Sequence, residues 1–135
     1  MSRARETARA IARKFATDNP YQVAEQLEFK VKIKDLPSSV RGFTTAIFGI
    51  RFLVINNALD ATFAKFVCAH ELGHAILHPD CDYFEIKDTL FPIGKYEREA
   101  EEFAISFLSS FSAPEYGEPL ERFYRRIGIP VAGGI

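Results

Sequence analysis

The chain has no tryptophan and a single methionine among its 135 residues. Its 13 phenylalanines carry most of the aromatic bulk, so a core of Phe, Ile, Leu and Ala is expected. Two cysteines, Cys68 and Cys81, are too few for a disulfide framework and fit a reducing compartment. No run approaches the roughly 18 apolar residues of a membrane span, and the most apolar stretch, residues 46–55, is broken by Arg51. Neither sign of charge dominates: 17 basic and 18 acidic residues leave a formal net charge of −1. A nucleic-acid or membrane-surface binder is usually markedly basic, so neither role is expected. The first residues lack the apolar stretch of a secretory leader, and Glu6, set among Arg3, Arg5, Arg9, Arg13 and Lys14, argues against a transit peptide. A soluble, cytoplasmic protein is expected. Repeats, low-complexity tracts and coiled-coil heptads are absent too, which leaves the oligomeric state open.

What is present is an ordinary globular balance, 47% hydrophobic and 26% charged. A single domain over residues 1–135 is expected. Ala4, Ala8, Ile11, Ala12 and Phe15 recur at helical spacing, which predicts an amphipathic helix over 3–16. Asn19-Pro20 offers a cap and a first-turn proline for a short helix over 20–27. Phe29, Val31 and Ile33 alternate with Lys30, Lys32 and Lys34, which predicts a half-buried strand. Two more strands are expected over 43–48 and 51–56, turning at Gly49. Residues 60–77 are helical and apolar nearly all round, as suits a helix through the centre of a small domain. A long connection follows over 79–94. Residues 95–111 predict a helix with Ala100, Phe103, Ala104, Phe107, Leu108 and Phe111 as its buried face. A last short helix is expected over 119–127.

The chemistry sits in His70-Glu71-Leu72-Gly73-His74. Residues four apart differ by about 40° around a helix and about 6 Å along it, so both imidazoles can reach one ion. Zinc takes imidazole nitrogens at about 2.0–2.1 Å in a tetrahedral site. Glu71 lies roughly 100° around the helix, badly placed to bind the ion and well placed to deprotonate a water beside it. Gly73 allows a close approach by another element. A purely structural histidine pair is the bland alternative.

A catalytic zinc needs a third protein ligand and an open position. His78 lies about 12 Å along the axis from His70, too far for all three histidines to converge, so it reads as a supporting or pocket residue. The acidic run Glu97-Arg98-Glu99-Ala100-Glu101-Glu102 is the better source. On a helical wheel the stripe through Ala100, Ala104, Phe107 and Phe111 lies within roughly 60° of Glu97. Glu101 borders that stripe, and Glu99 and Glu102 point further away, as a solvated helix start would. A carboxylate on a core-facing side must be paired or bound to a metal. Glu97 is therefore the expected third ligand, with Glu101 the alternative. Cys68 reads as a core thiol. Cys81 near the metal, and Tyr83 or Tyr96 as an oxyanion donor, are lesser candidates.

The helix His70-Glu-Leu-Gly-His-Ala-Ile-Leu-His78, the later Glu97-Arg-Glu-Ala-Glu-Glu-Phe-Ala104 and the upstream elements resemble the ImmA/IrrE family of zinc metallopeptidases over about residues 3–112. Residues 113–135 match poorly. The resemblance implies zinc ligands at His70, His74 and Glu97 and a catalytic carboxylate at Glu71. It departs at Glu101, where the family usually has Asn, and at Phe107-Leu-Ser-Ser110, where Leu-Leu-Met-Pro is usual. The expected fold is α+β and zincin-like: a small, mostly antiparallel sheet packed on the central His70–His74 helix, with further helices around it. The implied function is a cytoplasmic zinc endopeptidase. Its implied substrate is a regulatory protein, of the helix-turn-helix repressor type, from a phage, mobile element or stress response. The alternative is a zinc-binding regulatory module that binds its partner without cutting it.

Overall fold

The computed structural model describes residues 2–79 and 93–130. Helix α1 spans Arg3–Phe15, capped by the Ser2 side chain on the Arg5 amide. Its buried residues, Ala4, Ala8 and Ala12, form a stripe of methyl groups. Small side chains there let another helix cross closely. Helix α2, Pro20–Gln26, starts as its sequence predicts, with the Asn19 side chain accepting from the Tyr21 amide and Pro20 in the first turn.

Three strands follow: β1 (Lys30–Lys34), β2 (Gly42–Ile47) and β3 (Ile50–Asn56). They form one sheet in the order β1-β3-β2. β2 and β3 make an antiparallel hairpin, Ile47 opposite Ile50, while β1 pairs with β3 in parallel, Val31 opposite Leu53. The sheet is therefore mixed, and its antiparallel part is the hairpin. The central strand carries the buried run Leu53, Val54 and Ile55. The edge strand β1 is less covered than its alternation predicts. Phe29 and Val31 pack on the core, but Ile33 is 53% exposed because the helical layer ends before it.

Helix α3, Ala61–Leu77, begins at Asp60, whose carboxylate accepts from the Phe63 amide. Every residue from Phe66 to Ala75 is buried. Val67 and Cys68 pack with Ile55 of the sheet, and Phe66, Ala69 and Leu72 with the helices. Its carbonyl end is held by Arg3, which donates to the Leu77 oxygen, and by Arg51, which donates to the Pro79 oxygen. Cations there oppose the negative end of the helix dipole.

Helix α4, Ile93–Leu108, lies against both α3 and α1. Phe103 and Phe107 stack on each other and are fully buried. The helix stops earlier than predicted. Ser109 and Ser110 donate their hydroxyls to the Ile105 and Ser106 carbonyls, and such side-chain bonds compete with continued helix. Phe111 therefore leaves the apolar face and is 56% exposed. A short helix α5, Leu120–Arg126, adds Phe123 to the interior. The expected connection over 79–94 falls mostly outside the described residues.

Candidate metal centre

α3 projects His70 and His74 from one face, their rings edge to face with centroids 4.9 Å apart. Both are buried. α4 crosses α3 at Gly73, where an added Cβ would stand 3.0 Å from Phe103 Cβ. That close approach brings Glu97 over the two rings. His70 Nε2 lies 3.2 Å from Glu97 Oε2, and His74 Nε2 lies 2.8 Å from Glu97 Oε1.

These distances test whether a metal fits. Ligand atoms about 2.0–2.1 Å from one ion in a tetrahedron sit roughly 3.3 Å from each other. The His70–Glu97 separation of 3.2 Å is close to that value and the His74–Glu97 separation of 2.8 Å is shorter, and the three residues offer ligand atoms all within 4.8 Å of one another. Among the described residues they are the cluster able to hold an ion. The structure thus puts His70, His74 and Glu97 in position to bind a metal. It brings Glu97 to the histidines rather than Glu101.

The electrostatics follow from burial and neighbours. Burial works to raise the Glu97 carboxyl, but its hydrogen bonds to His70 and His74 and their charge outweigh this, holding it well below the usual carboxylate range. Glu71, next along α3, is buried and lies outside the cluster. A Cβ at Gly42 on β2 would stand 3.6 Å from Glu71 Cγ, so the strand closes on this side chain. Burial pushes the Glu71 carboxyl up to about 7, with His74 pulling it down and Glu97 adding to the rise.

Behind the cluster stands a second set of polar side chains. His78 is buried at the end of α3, with its Nδ1 3.2 Å from His74 Nδ1 and its Nε2 3.2 Å from Glu99 Oε1. Its ring meets Tyr96 edge to face at 4.4 Å. Burial lowers the His78 pKa, while its hydrogen bond to Glu99 opposes the fall. His78 thus contacts His74 and Glu99 and lies outside the cluster of His70, His74 and Glu97. Glu99 corrects the sequence reading, which sent it to solvent. The buried arc of α4 is wider than a stripe drawn through Ala100, Ala104 and Phe107, because α4 is covered by α1 as well as α3. Phe103 and Ser106 are also buried and flank Glu99 on the wheel. A histidine four residues past His74 was the available signal that a second acceptor was needed.

Cys68 is the core thiol expected. Burial pushes it up to about 12, with Glu71 adding to the shift, which leaves it protonated and inert. The Tyr96 ring packs on His78. Cys81 and Tyr83 lie outside the described residues.

The match to known proteins follows this geometry. A family model described as the IrrE N-terminal-like domain of the Peptidase_M78 group, a family of metallopeptidases, matches residues 24–110. That span contains every residue of the centre. A protein named "Uncharacterized immunity region protein 2", from Bacillus phage phi105, is 38% identical over 99 residues, covering 73% of this chain and 63% of its own length. The chain thus spans less than two-thirds of that relative. With the family match covering most of the chain and both motif helices, the chain belongs to the ImmA/IrrE-type metallopeptidase family, the group of the IrrE N-terminal-like domain.

Proposed function

We propose that the protein is a zinc-dependent endopeptidase that hydrolyses a peptide bond in a regulatory protein. The observation that carries this reading is the convergence of two buried imidazoles and one carboxylate beside a second, buried carboxylate. In this reading His70, His74 and Glu97 hold the ion, and Glu71 moves the protons. Zinc bound there would polarise the scissile carbonyl and acidify a water. Glu71 takes the proton of the attacking water at a carboxylate oxygen and returns it to the amine nitrogen as the peptide C–N bond breaks. Burial raises the Glu71 carboxyl in the metal-free protein, and a nearby dication would draw that value back down. The closely packed β2 keeps bulk water from the carboxylate.

The substrate class rests on kinship. The phage relative's name sets that protein in an immunity region, and we carry this setting over to the present chain. With the ImmA/IrrE resemblance it favours a helix-turn-helix repressor as substrate, cut in the cytoplasm.

Elemental analysis of untagged protein, followed by incubation with a candidate helix-turn-helix repressor, tests the proposal. Wild type is expected to hold a single equivalent of zinc and to cut the repressor. Glu97→Ala loses the metal. Glu71→Gln keeps the metal and loses cleavage by about 10²- to 10⁴-fold. Wild type that takes up no zinc would overturn the reading. Full regulatory effect in Glu71→Gln would instead make the protein a binding module that acts without cutting.

A further inference from the structure

We propose that His78 and Glu99 are positioning residues that fix the tautomer and orientation of His74, through a hydrogen-bonded relay running Glu99–His78–His74. The inference rests on the metal-site reading above, and on geometry. His74 directs Nε2 at the Glu97 carboxylate, 2.8 Å away. A nitrogen that binds a cation must be unprotonated, so the proton of a neutral His74 ring sits on Nδ1. That proton needs an acceptor, because a buried donor without one costs free energy. The nearest partner is His78 Nδ1 at 3.2 Å. If His78 Nδ1 accepts, its own proton sits on Nε2, which faces Glu99 Oε1 at 3.2 Å. A carboxylate only accepts. One assignment of protons therefore satisfies every contact from Glu99 to the ion-facing nitrogen.

Two further observations separate this arrangement from ordinary packing. His78 is the C-cap of α3, with φ −128° and ψ 59°, so it has left helical geometry while its amide still donates to the His74 carbonyl. Its ring lies against that of His74, with centroids 5.4 Å apart. The other histidine of the pair lacks such support. His70 Nδ1 is buried with no hydrogen-bond partner among the described residues. The two imidazoles are built differently, and among the described residues His74 is the one backed by a carboxylate at one remove. Metal-bound histidines so backed hold their metal more tightly, and loss of the backing group typically costs about 10- to 100-fold in affinity.

The test is zinc affinity by chelator competition, with the visible spectrum of the cobalt(II)-substituted protein as second readout. His78→Phe keeps a ring against Tyr96 but removes the acceptor. His78→Asn keeps an acceptor oxygen where Nδ1 stands. Glu99→Leu and Glu99→Gln make the same contrast at the next position, on a side chain partly open to solvent that folding tolerates more easily. We expect His78→Phe and Glu99→Leu to weaken zinc by about 10- to 100-fold and to shift the cobalt bands. His78→Asn and Glu99→Gln should stay within a few-fold of wild type. Wild-type affinity and spectrum in folded His78→Phe and Glu99→Leu would overturn the relay and leave the metal site standing. Equal weakening in His78→Phe and His78→Asn would make His78 a packing residue only. No zinc uptake by wild type would overturn the relay together with the site.

Discussion

The α3–α4 crossing and the tip of the β2–β3 hairpin invert the usual rule of burial in opposite directions. At the crossing, polar groups are inside: His70, Glu71, His74 and His78 are all buried. At the tip, apolar groups are outside: Phe48 is fully exposed, and Ile47 and Ile50 on either side are exposed too. The difference lies in compensation. The histidines face carboxylates and one another, and among the described residues His70 Nδ1 is the buried side-chain nitrogen left without a partner. Nothing in the sheet covers Phe48, and its backbone is in the left-handed region, with φ 51° followed by 80° at Gly49. Two such residues between paired strands make a type I′ turn, which favours Asn-Gly. The crossing is thus held by side chains that need each other, and the tip by a backbone whose first turn residue is poorly suited to it.

The same kind of residue should therefore behave oppositely in the two regions. Phe103→Ala at the crossing is expected to cost about 3–5 kcal/mol in urea denaturation, the scale for deleting a buried aromatic ring. A cost below about 1 kcal/mol would mean the crossing is looser than its contacts imply. Next in size is a pH effect in the metal-free protein. The folded state holds the Glu71 proton up to about pH 7, whereas the unfolded chain releases it near 4.5. The folded state binds the extra proton in that window, so the Glu71 contribution falls as pH rises, by ~3 kcal/mol. His78, whose folded pKa is lowered, acts the other way. The difference between wild type and Glu71→Gln isolates the Glu71 part: it should shift steadily in the variant's favour from pH 4.5 to about 7 and level off above. A constant difference would show that Glu71 is not desolvated. Gly73→Ala follows, at about 1–3 kcal/mol of overpacking, because its Cβ would meet Phe103 at 3.0 Å. Smallest is the tip. Phe48→Asn should raise stability by about 1 kcal/mol, with a higher melting temperature. Destabilisation there would mean that the exposed ring does something in the isolated chain that its surroundings do not indicate.

Much of the site was legible in the sequence because it is helical. The spacing of His70 and His74 sets a shared face, and the wheel through Ala100, Ala104 and Phe107 picks out Glu97. Both arguments use only the helical repeat. Glu99 was not legible, because its burial depends on α1 covering α4 as well as α3, a fact about two distant segments. The parallel pairing of β1 with β3 was hidden for the same reason, since the alternation of Val31 and Lys32 is the same beside any neighbour. Phe111 fits the apolar period but falls beyond the two serines that end α4. Local periodicity thus names the residues of the cluster, and tertiary contacts decide what stands behind them.

The close approach at Gly73 has a consequence for the spacing of the cluster. A methyl group at Gly73 would require its neighbour on α4 to give by a few tenths of an ångström. Gly73 stands directly before His74, while α4 carries Glu97. The separation of imidazole and carboxylate is therefore metered by an apolar contact containing no donor atom, and in part by a residue that has no side chain.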